Sequence, residues 1–323
     1  MDILNRKLAV AGLVALMCAN PCQADDDRPF VPGGAFDKPH LLRSGSGQTS
    51  VGGYAEVHFR YEEEEGVVEE RTFVPKRFNL FFHSVVSERL RMAAELEFEE
   101  GTEEILLELA ILDFEIHTAL SFRGGMILTP LGKFNLTHDS PSNKLTERPL
   151  VSTQIIPTAL SEPGMGIYGA FFPSGNSRLT YEIYGVNGLH DGIVEGSDEG
   201  TRIASGRHNI EDNNNSPAFT GRIAYSPLPS AEVGVSWHVG QYNKSRLEDL
   251  DVDESRSAKI YALDWEGTQG RFHLVGEYAR ATVDLPSSLA GSIYADSQDG
   301  LYVQASAGFG SGWLTHLPES SFE

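Results

Sequence analysis

An alternation with a period of two residues is the feature that most constrains the fold of this chain. From Val51 to Tyr61, small or apolar side chains alternate with polar and charged ones, and the pattern recurs from Leu90 to Phe98 and from Ala231 to Val239. Side chains of a β-strand point alternately to opposite faces, whereas a helical face repeats every three or four residues. Twelve strand-like segments can be assigned between Val51 and Phe309, so the sequence predicts an all-β protein.

The connections between these segments alternate in length. Short turns such as Val86–Arg89, Pro173–Asn176 and Gly267–Gly270 alternate with long polar stretches such as Asn187–Ser216 and Tyr242–Arg256. Membrane barrels sort their connections in this way, with brief turns on the periplasmic side and extended loops outside, whereas a soluble β-sandwich has no reason to do so. The sequence therefore predicts a transmembrane antiparallel up-and-down β-barrel, with about 12 to 13 of its strands in this chain.

The first residues are typical of a secretory signal peptide. Two basic residues precede an apolar run from Leu8 to Cys18, and cleavage is expected after Ala24, which makes residues 1–24 the signal peptide. Residues 25–49 are rich in Asp, Pro, Gly and Ser and predict a flexible periplasmic leader. Residues 50–323 form the predicted barrel. We therefore expect export to the outer membrane of a Gram-negative cell.

We also expect that the barrel is incomplete at the C-terminal end of the sequence. A strand-like stub at Trp313–Thr315 is followed by Ser321-Phe322-Glu323, whereas barrels of this kind usually end on an aromatic residue at the close of their last strand. A larger barrel with an even number of strands would need about three more strands.

Charge and composition argue against several other classes of protein. The chain has 46 acidic and 25 basic residues and a formal net charge of −21, which is unfavourable for binding nucleic acid. Both cysteines lie in the predicted signal peptide and no dense histidine cluster is present, so no metal site and no cofactor are expected. Ser87, Ser236 and His238 lack a G-x-S-x-G elbow, so no catalytic residue and no enzymatic activity are predicted.

A long stretch without periodicity interrupts the strand pattern. The predicted loop Thr129–Pro163 contains five prolines, and a loop of this length inside an ordered protein is usually functional. It is also dense in ionisable groups, which suits a pore constriction. Including the arginine of the preceding strand, the candidates for this constriction are Arg123, Lys133, His138, Lys144, Glu147 and Arg148.

The alternative for these residues is a structural role. Arg123 and Lys133 could each pair with a nearby carboxylate, and Glu147-Arg148-Pro149 could anchor the loop. The polar faces of the early strands predict side chains that line the lumen, and the candidates are Glu56, Arg60, Arg91, Glu95 and Glu97.

Five short motifs resemble the phosphate-selective porin O/P-like family of outer-membrane channels. They are Val51-Gly52-Gly53-Tyr54-Ala55-Glu56, Arg77-Phe78-Asn79-Leu80, Pro130-Leu131-Gly132-Lys133-Phe134-Asn135, Glu147-Arg148-Pro149 and Glu162-Pro163-Gly164-Met165-Gly166. The resemblance spans about Val51 to Phe309. It implies a barrel of sixteen strands, a homotrimer, and a third extracellular loop that folds inward to narrow the pore. The many glutamates on the predicted polar faces depart from the cationic lumen that such phosphate selectivity requires.

These features together predict a porin for the passive diffusion of small hydrophilic solutes or ions. The cationic set Arg123, Lys133, Lys144 and Arg148 would make its constriction more favourable to anions than the net charge suggests. The expected partners are outer-membrane lipid or lipopolysaccharide, the permeating ions or solutes, and further copies of the chain. The alternative is an outer-membrane scaffold or adhesin without transport activity.

Overall fold

The computed structural model describes residues 12–13, 30–31, 33–34, 49–99, 101, 104–194, 200–248, 250–289 and 291–310. The predicted signal peptide, apart from Gly12 and Leu13, lies outside the described residues. So do most of the predicted leader and the predicted stub at Trp313–Thr315.

Strands account for most of the described chain, and the prediction of an all-β protein is confirmed. In chain order they are β1 (Gly12–Leu13), β2 (Thr49–Glu64), β3 (Val67–Val85), β4 (Leu90–Glu99), β5 (Glu104–His117), β6 (Leu120–Leu128), β7 (Ser161–Ser174), β8 (Ser177–Val186), β9 (Ala218–Leu228), β10 (Ala231–Gln241), β11 (Arg246–Leu247), β12 (Leu250–Asp251), β13 (Ser257–Gln269), β14 (Phe272–Val283) and β15 (Ser297–Ala307).

One antiparallel sheet contains every strand except β11 and β12, which pair with each other in a small hairpin. Each strand of the large sheet is hydrogen-bonded to its neighbour in the sequence, in the order β1 to β10 followed by β13 to β15. The twelve longer strands correspond to the twelve segments predicted from the alternation. Pairing of sequence neighbours throughout is the topology of an up-and-down meander.

The parity of the connections is also present in the structure, with one difference. Short turns join β5 to β6, β7 to β8, β9 to β10 and β13 to β14 at one edge, and the long connections 129–160, 187–217, 242–256 and 284–296 lie at the other. The first of the long connections is only a two-residue turn, because β2 extends to Glu64 and β3 begins at Val67 rather than near Phe73. A β-bulge beside Pro75 interrupts the period of two there, since Glu56 pairs with Arg77 but Val57 pairs with Pro75.

The two faces of this sheet are reversed relative to those of a soluble protein. Charged side chains are buried on the inner face, where Asp264 and Glu277 are both 0% exposed. Large apolar side chains point outward, and Phe73 and Phe219 are 72% and 63% exposed. Buried charges are rare in soluble proteins unless they are paired, and apolar patches of this extent mark a surface that something apolar covers.

Ion pairs satisfy many of the charges on the inner face. The guanidinium of Arg123 donates two hydrogen bonds of 2.7 Å to Asp113. Arg222 donates to Asp264 at 2.5 Å and to Glu232 at 3.0 Å. A buried charge without such partners would cost several kcal/mol, so these pairs allow a polar interior to fold.

The sheet curves strongly around the residues that connect β6 to β7. These residues form a short helix α1 (Lys133–Leu136) and single helical turns at Ser140–Ser142 and Val151–Ile155; two more turns lie at Asp191–Ile193 and Ile203–Gly206 in the next long connection. Among the described residues, no helix has the length and apolar character of a membrane span.

Two contacts of this connection measure the curvature. The ring of Phe134 lies 6.3 Å from that of Tyr302 on β15, and Ser140 donates to Glu56 on β2. In a flat sheet with strands about 4.8 Å apart, β2 and β15 would be separated by about 50 Å. Phe134 and Ser140 are six residues apart, and six residues of extended chain span only about 20 Å. The first and last long strands must therefore curve towards each other. No hydrogen-bonded pairing between β2 and β15 is present among the described residues.

Candidate constriction site

Residues 129–160, here named the inner segment, fold back inside the curved sheet. Asn135 joins the two ends of this segment and is fully buried. Its side-chain amide donates to the carbonyl oxygen of Thr129 at 2.7 Å, and its Oδ1 accepts from the backbone N–H of Leu160 at 2.9 Å. The inner segment is therefore a closed loop with a fixed base.

One side of the inner segment is anchored to β14 by Glu277. Oε2 of this carboxylate accepts the backbone N–H groups of Lys133 at 2.7 Å and Phe134 at 3.1 Å, while Oε1 accepts the Ser152 hydroxyl at 3.1 Å. Gly132 has a φ of 67°, and a Cβ there would lie 2.5 Å from Glu277 Oε2. The glycine before Lys133 therefore permits both the left-handed turn and the close approach of the carboxylate.

Lys133 strengthens the same anchor. Its Nζ lies 2.6 Å from Oε2 of Glu266 on β13 and 3.3 Å from Oε1 of Glu232 on β10. The side chain is almost completely buried, so its charge is balanced by two carboxylates rather than by bulk water.

Apolar side chains fill the space beyond this anchor. Residues of the inner segment pack with residues of the next two long connections and of β13 and β14 in one buried cluster, whose members include Leu131, Ile155, Ile156, Leu160, Ile193, Ile203, Tyr242, Ile260 and Val283. The inner segment therefore leans against the β13–β14 side of the sheet.

The opposite side of the inner segment makes sparser contacts: Ala159 packs against a small apolar cluster with Ala93 and Leu109, and the other contacts described here are polar. The Ser140 hydroxyl donates to Glu56 Oε2 at 2.5 Å, and the Ser140 N–H donates to the Tyr54 hydroxyl at 3.4 Å. The imidazole of His138 faces the carboxylate of Glu108 on β5. Burial lowers the pKa of His138 below its ordinary value, which favours the neutral imidazole.

Two cavities lie between the inner segment and the early strands. One has a volume of about 340 Å³ and lies beside β4 and β5, and the other has a volume of about 350 Å³ and lies beside β2 and β3. Glu99 and Arg148 line both of them, so the cavities meet at these two side chains. Together the two cavities form a gap between the inner segment and the early strands.

The cavities differ in the charges that line them. The cavity beside β4 and β5 has four glutamates, Glu97, Glu99, Glu104 and Glu108, against Arg148 and Arg207. The cavity beside β2 and β3 has three glutamates, Glu56, Glu99 and Glu147, against Arg60, Lys76, Arg77 and Arg148. Burial and the neighbouring Arg77 guanidinium lower the pKa of Arg148 below its ordinary value. An arginine remains cationic in proteins, so both signs of charge line the gap.

The structure separates the predicted constriction residues into two groups. Arg123, Lys133 and His138 are buried and face carboxylates, whereas Lys144 and Glu147 are exposed and Arg148 is half-buried between the two cavities. Lys144 lines a third cavity of about 250 Å³, between the inner segment and β13 to β15. Arg123 pairs with Asp113 and does not border any of the three cavities.

The predicted lumen residues all lie on the polar face of β2 or β4. Glu56, Glu95 and Glu97 are buried there. Arg60 lies 3.5 Å from Glu70, and Arg91 lies 2.7 Å from Glu115.

Sequence reasoning missed several residues that position the inner segment. Asn135 and Glu162 both occur in motifs noted above, but Glu277 and Ser236 lie in ordinary alternating strands. Glu162 accepts the Thr129 hydroxyl at 3.0 Å and lies 2.9 Å from His238 Nε2. Ser236 accepts the backbone N–H of Gly132 at 2.8 Å. For Glu277 and Ser236, the sequence shows only that each is a polar residue on the polar face of a strand.

Phe30, Val31, Gly33 and Gly34 of the predicted leader are described, and they lie against the inner face. The Arg178 guanidinium stacks 4.6 Å from the ring centroid of Phe30 and donates to the carbonyl oxygen of Val31 at 3.2 Å. A Cβ on Gly33 would lie 3.5 Å from Lys133 Cε. This part of the leader therefore lies close to the anchored side of the inner segment.

Comparison with known proteins identifies similar chains but no established family. No family model matches the sequence. An uncharacterized protein of Aquifex aeolicus (strain VF5) is 28% identical over 295 residues, which cover 84% of this chain and 63% of that protein. The chain therefore spans less than two thirds of the length of that relative.

Two solved structures from Vibrio cholerae are also similar. OmpT, an outer membrane protein in its trimer form, is 12% identical with a TM-score of 0.38, over 83% of this chain and 86% of that chain. A loop L8 deletion mutant of OmpT is 12% identical with a TM-score of 0.36, over 83% and 90% of the two chains. The sequence predicted that this chain is not an enzyme. These matches do not support that exclusion, and it is withdrawn.

Proposed function

We propose that this chain forms an outer-membrane β-barrel channel through which small hydrophilic solutes or ions diffuse passively. The observation that carries the proposal is the gap beside the inner segment, where two cavities lined by both signs of charge meet at Glu99 and Arg148. In this proposal the inner segment is the constriction, which selects solutes by size and by charge. Localisation to the outer membrane of a Gram-negative cell and assembly as a homotrimer belong to the same proposal.

The exposed apolar face supports a membrane setting. Apart from the small hairpin β11–β12, each described strand pairs with the next one along the chain, and side chains such as Val235, Leu263 and Leu301 point outward from the middle of their strands. A transmembrane barrel needs this arrangement, because its lipid-facing and lumen-facing residues alternate and its backbone groups must be paired. Membrane lipid would then cover the apolar outer face.

The resemblance to the phosphate-selective porin O/P-like family supports the constriction. Its motif from Pro130 to Asn135 contains Gly132, Lys133 and Asn135, which hold the inner segment on the anchored side. Phosphate preference is the weaker part of this resemblance, since four glutamates face two arginines in the cavity beside β4 and β5.

Arg148 is expected to control charge selectivity. Replacing it with glutamine removes the cation shared by the two cavities, so the glutamates there should attract cations more strongly. In a salt gradient across a planar bilayer, the reversal potential of Arg148→Gln should shift towards that of a cation-selective pore. The matched control is Arg91→Gln, which removes a partly exposed arginine that borders neither cavity. Equal shifts in both variants, or no shift in Arg148→Gln, would contradict the assignment.

Size selection is tested by liposome swelling with neutral sugars of increasing size. We expect small sugars to enter vesicles that contain the folded chain and larger ones to be excluded by the inner segment. Vesicles that exclude even the smallest sugar and carry no ion current would contradict the channel.

A scaffold or adhesin without transport is the second candidate, and one observation favours it. The apolar cluster formed by the inner segment and the neighbouring long connections fills the interior beside β13 and β14. If this packing extends across the whole cross-section, the long connections would serve as a binding surface instead of guarding a pore.

A further inference from the structure

Three side chains outside the anchored side of the constriction converge on one buried point. They are Glu97 on β4, Glu108 on β5 and His138 in the inner segment, and their potential ligand atoms all lie within 4.8 Å of one another. None of the three is more than 5% exposed. Neither their sequence spacing nor a motif brings them together; the pairing of β4 with β5 and the inward fold of the inner segment do so.

A β-bulge directs the side chain of Glu108 towards Glu97 and His138. Glu95 pairs with Leu109 and Leu96 pairs with Leu107, so Glu108 is the extra residue on β5. Both Glu108 and Leu109 are buried as a result, which interrupts the alternation. Bulges re-aim side chains and often lie beside functional sites.

The tautomer of His138 indicates that a cation or a proton must lie between His138 and Glu108. Nδ1 of His138 lies 2.8 Å from the carbonyl oxygen of Asn135, and a carbonyl can only accept, so Nδ1 carries the hydrogen. In the neutral ring Nε2 is then a lone pair, and it faces Glu108 Oε1. Both atoms are buried, and apart from each other neither has a hydrogen-bond partner. Two acceptors that face each other require a cation or a proton between them.

Glu97 adds a second carboxylate whose orientation is fixed. Its Oε2 accepts the side-chain amide of Asn79 at 2.9 Å, and the Arg77 guanidinium lies 3.3 Å from its Oε1. That guanidinium also contacts Glu56 and Glu99, so one positive charge is shared among three carboxylates before Glu108 is counted. Arg148 lines the same cavity as Glu97 and Glu108, so two guanidiniums face four carboxylates and negative charge is in excess.

We propose that Glu97, Glu108 and His138 bind a divalent transition-metal ion, with Zn²⁺ as the best fit. An imidazole nitrogen with two carboxylate oxygens suits Zn²⁺, whereas Ca²⁺ and Mg²⁺ prefer oxygen alone. Metal-binding histidines donate their second ring N–H to a carbonyl or carboxylate, as His138 does to Asn135. Ligand atoms around one tetrahedral Zn²⁺ are roughly 3.4 Å apart, so His138 Nε2 and Glu108 Oε1, which are in close contact here, would move apart when the metal binds. The cavity lined by Glu97 and Glu108 provides an entry path.

The bound ion would fasten the otherwise sparsely held side of the constriction to the wall. Glu277 and Lys133 hold the inner segment against β10, β13 and β14, whereas His138 would be joined through the metal to β4 and β5. Metal binding itself does not depend on whether the chain conducts solutes, so it can be tested separately from the channel.

The test is a calorimetric titration of the refolded full-length chain in detergent, after treatment with a chelator, with ZnCl₂ as the probe. We expect one high-affinity Zn²⁺ per chain, and at least tenfold weaker binding in His138→Ala and in Glu108→Gln. His208→Ala is the matched control, because His208 lines the adjacent cavity but is not part of the cluster. Circular dichroism checks that each variant is folded. Absence of Zn²⁺ binding, or binding that His138→Ala leaves unchanged, would overturn the proposal and leave a proton between the two acceptors.

X-ray absorption of the Zn²⁺-loaded native chain gives a result that does not rely on variants. The proposal predicts one imidazole and additional oxygen ligands around the metal. No imidazole, or more than one, would place the metal elsewhere and overturn the proposal even if the variants fail to fold.

Discussion

Replacing Glu277 with alanine is expected to release the inner segment and to increase the single-channel conductance severalfold. The carboxylate accepts two backbone N–H groups and one hydroxyl of that segment, from Lys133, Phe134 and Ser152. Without it, each buried donor left unpaired costs about 1 to 3 kcal/mol, and the segment relieves that cost by moving into the lumen water. Conductance in planar bilayers and the rate of proteolysis within residues 129–160 should rise together.

Glu115→Ala is the matched control for this experiment. Glu115 is also a glutamate of the sheet, but it pairs with Arg91 near the edge with the short turns. Its loss should change neither conductance nor proteolysis. If Glu277→Ala folds with the native conductance, the inner segment is not the constriction.

An arginine in place of Val235 is expected to destabilise the folded chain in lipid vesicles by about 2 to 4 kcal/mol. Val235 lies in the middle of β10, is 50% exposed, and pairs with Ile223 on β9 and Leu263 on β13. In the proposed barrel it faces the lipid, where a guanidinium cannot be hydrated. Equilibrium unfolding by denaturant measures the change in the free energy of unfolding.

Val252→Arg is the control for the membrane prediction. Val252 is similarly exposed, at 57%, but it lies in the long connection 242–256 between β10 and β13. The same substitution should be nearly neutral there, because surface changes usually alter stability by less than about 0.5 kcal/mol. Equal effects at the two positions would show that β10 does not face lipid.

The strands were predictable because each has one polar face and one apolar face. The alternation in β2, β4 and β10 is regular, and most of the side chains buried in these strands are polar, with Tyr54 and Ala93 as exceptions. The alternation alone could not say which face is inside, since a period of two is the same for a soluble sheet and for a membrane barrel. The parity of the connections supplied that distinction.

The β-bulges account for the less regular parts of the prediction. Extra residues near Pro75 and at Glu108 shift the period by one, so the start of β3 was predicted late and β5 resembled a continuous apolar run. The partners of the inner segment were beyond sequence reasoning for another reason. Glu277 lies 144 residues from Lys133, and an inward-facing glutamate in one strand does not indicate which loop it will hold.

The most direct test of the channel is the conductance of the native chain in a planar bilayer. Purified, folded chain is added to one side, and single-channel currents and the reversal potential are measured in an asymmetric salt gradient. We predict discrete, stable openings, because the gap at Glu99 and Arg148 connects two polar cavities beside the inner segment. A folded, membrane-inserted chain that carries no current would contradict this account and favour the scaffold or adhesin.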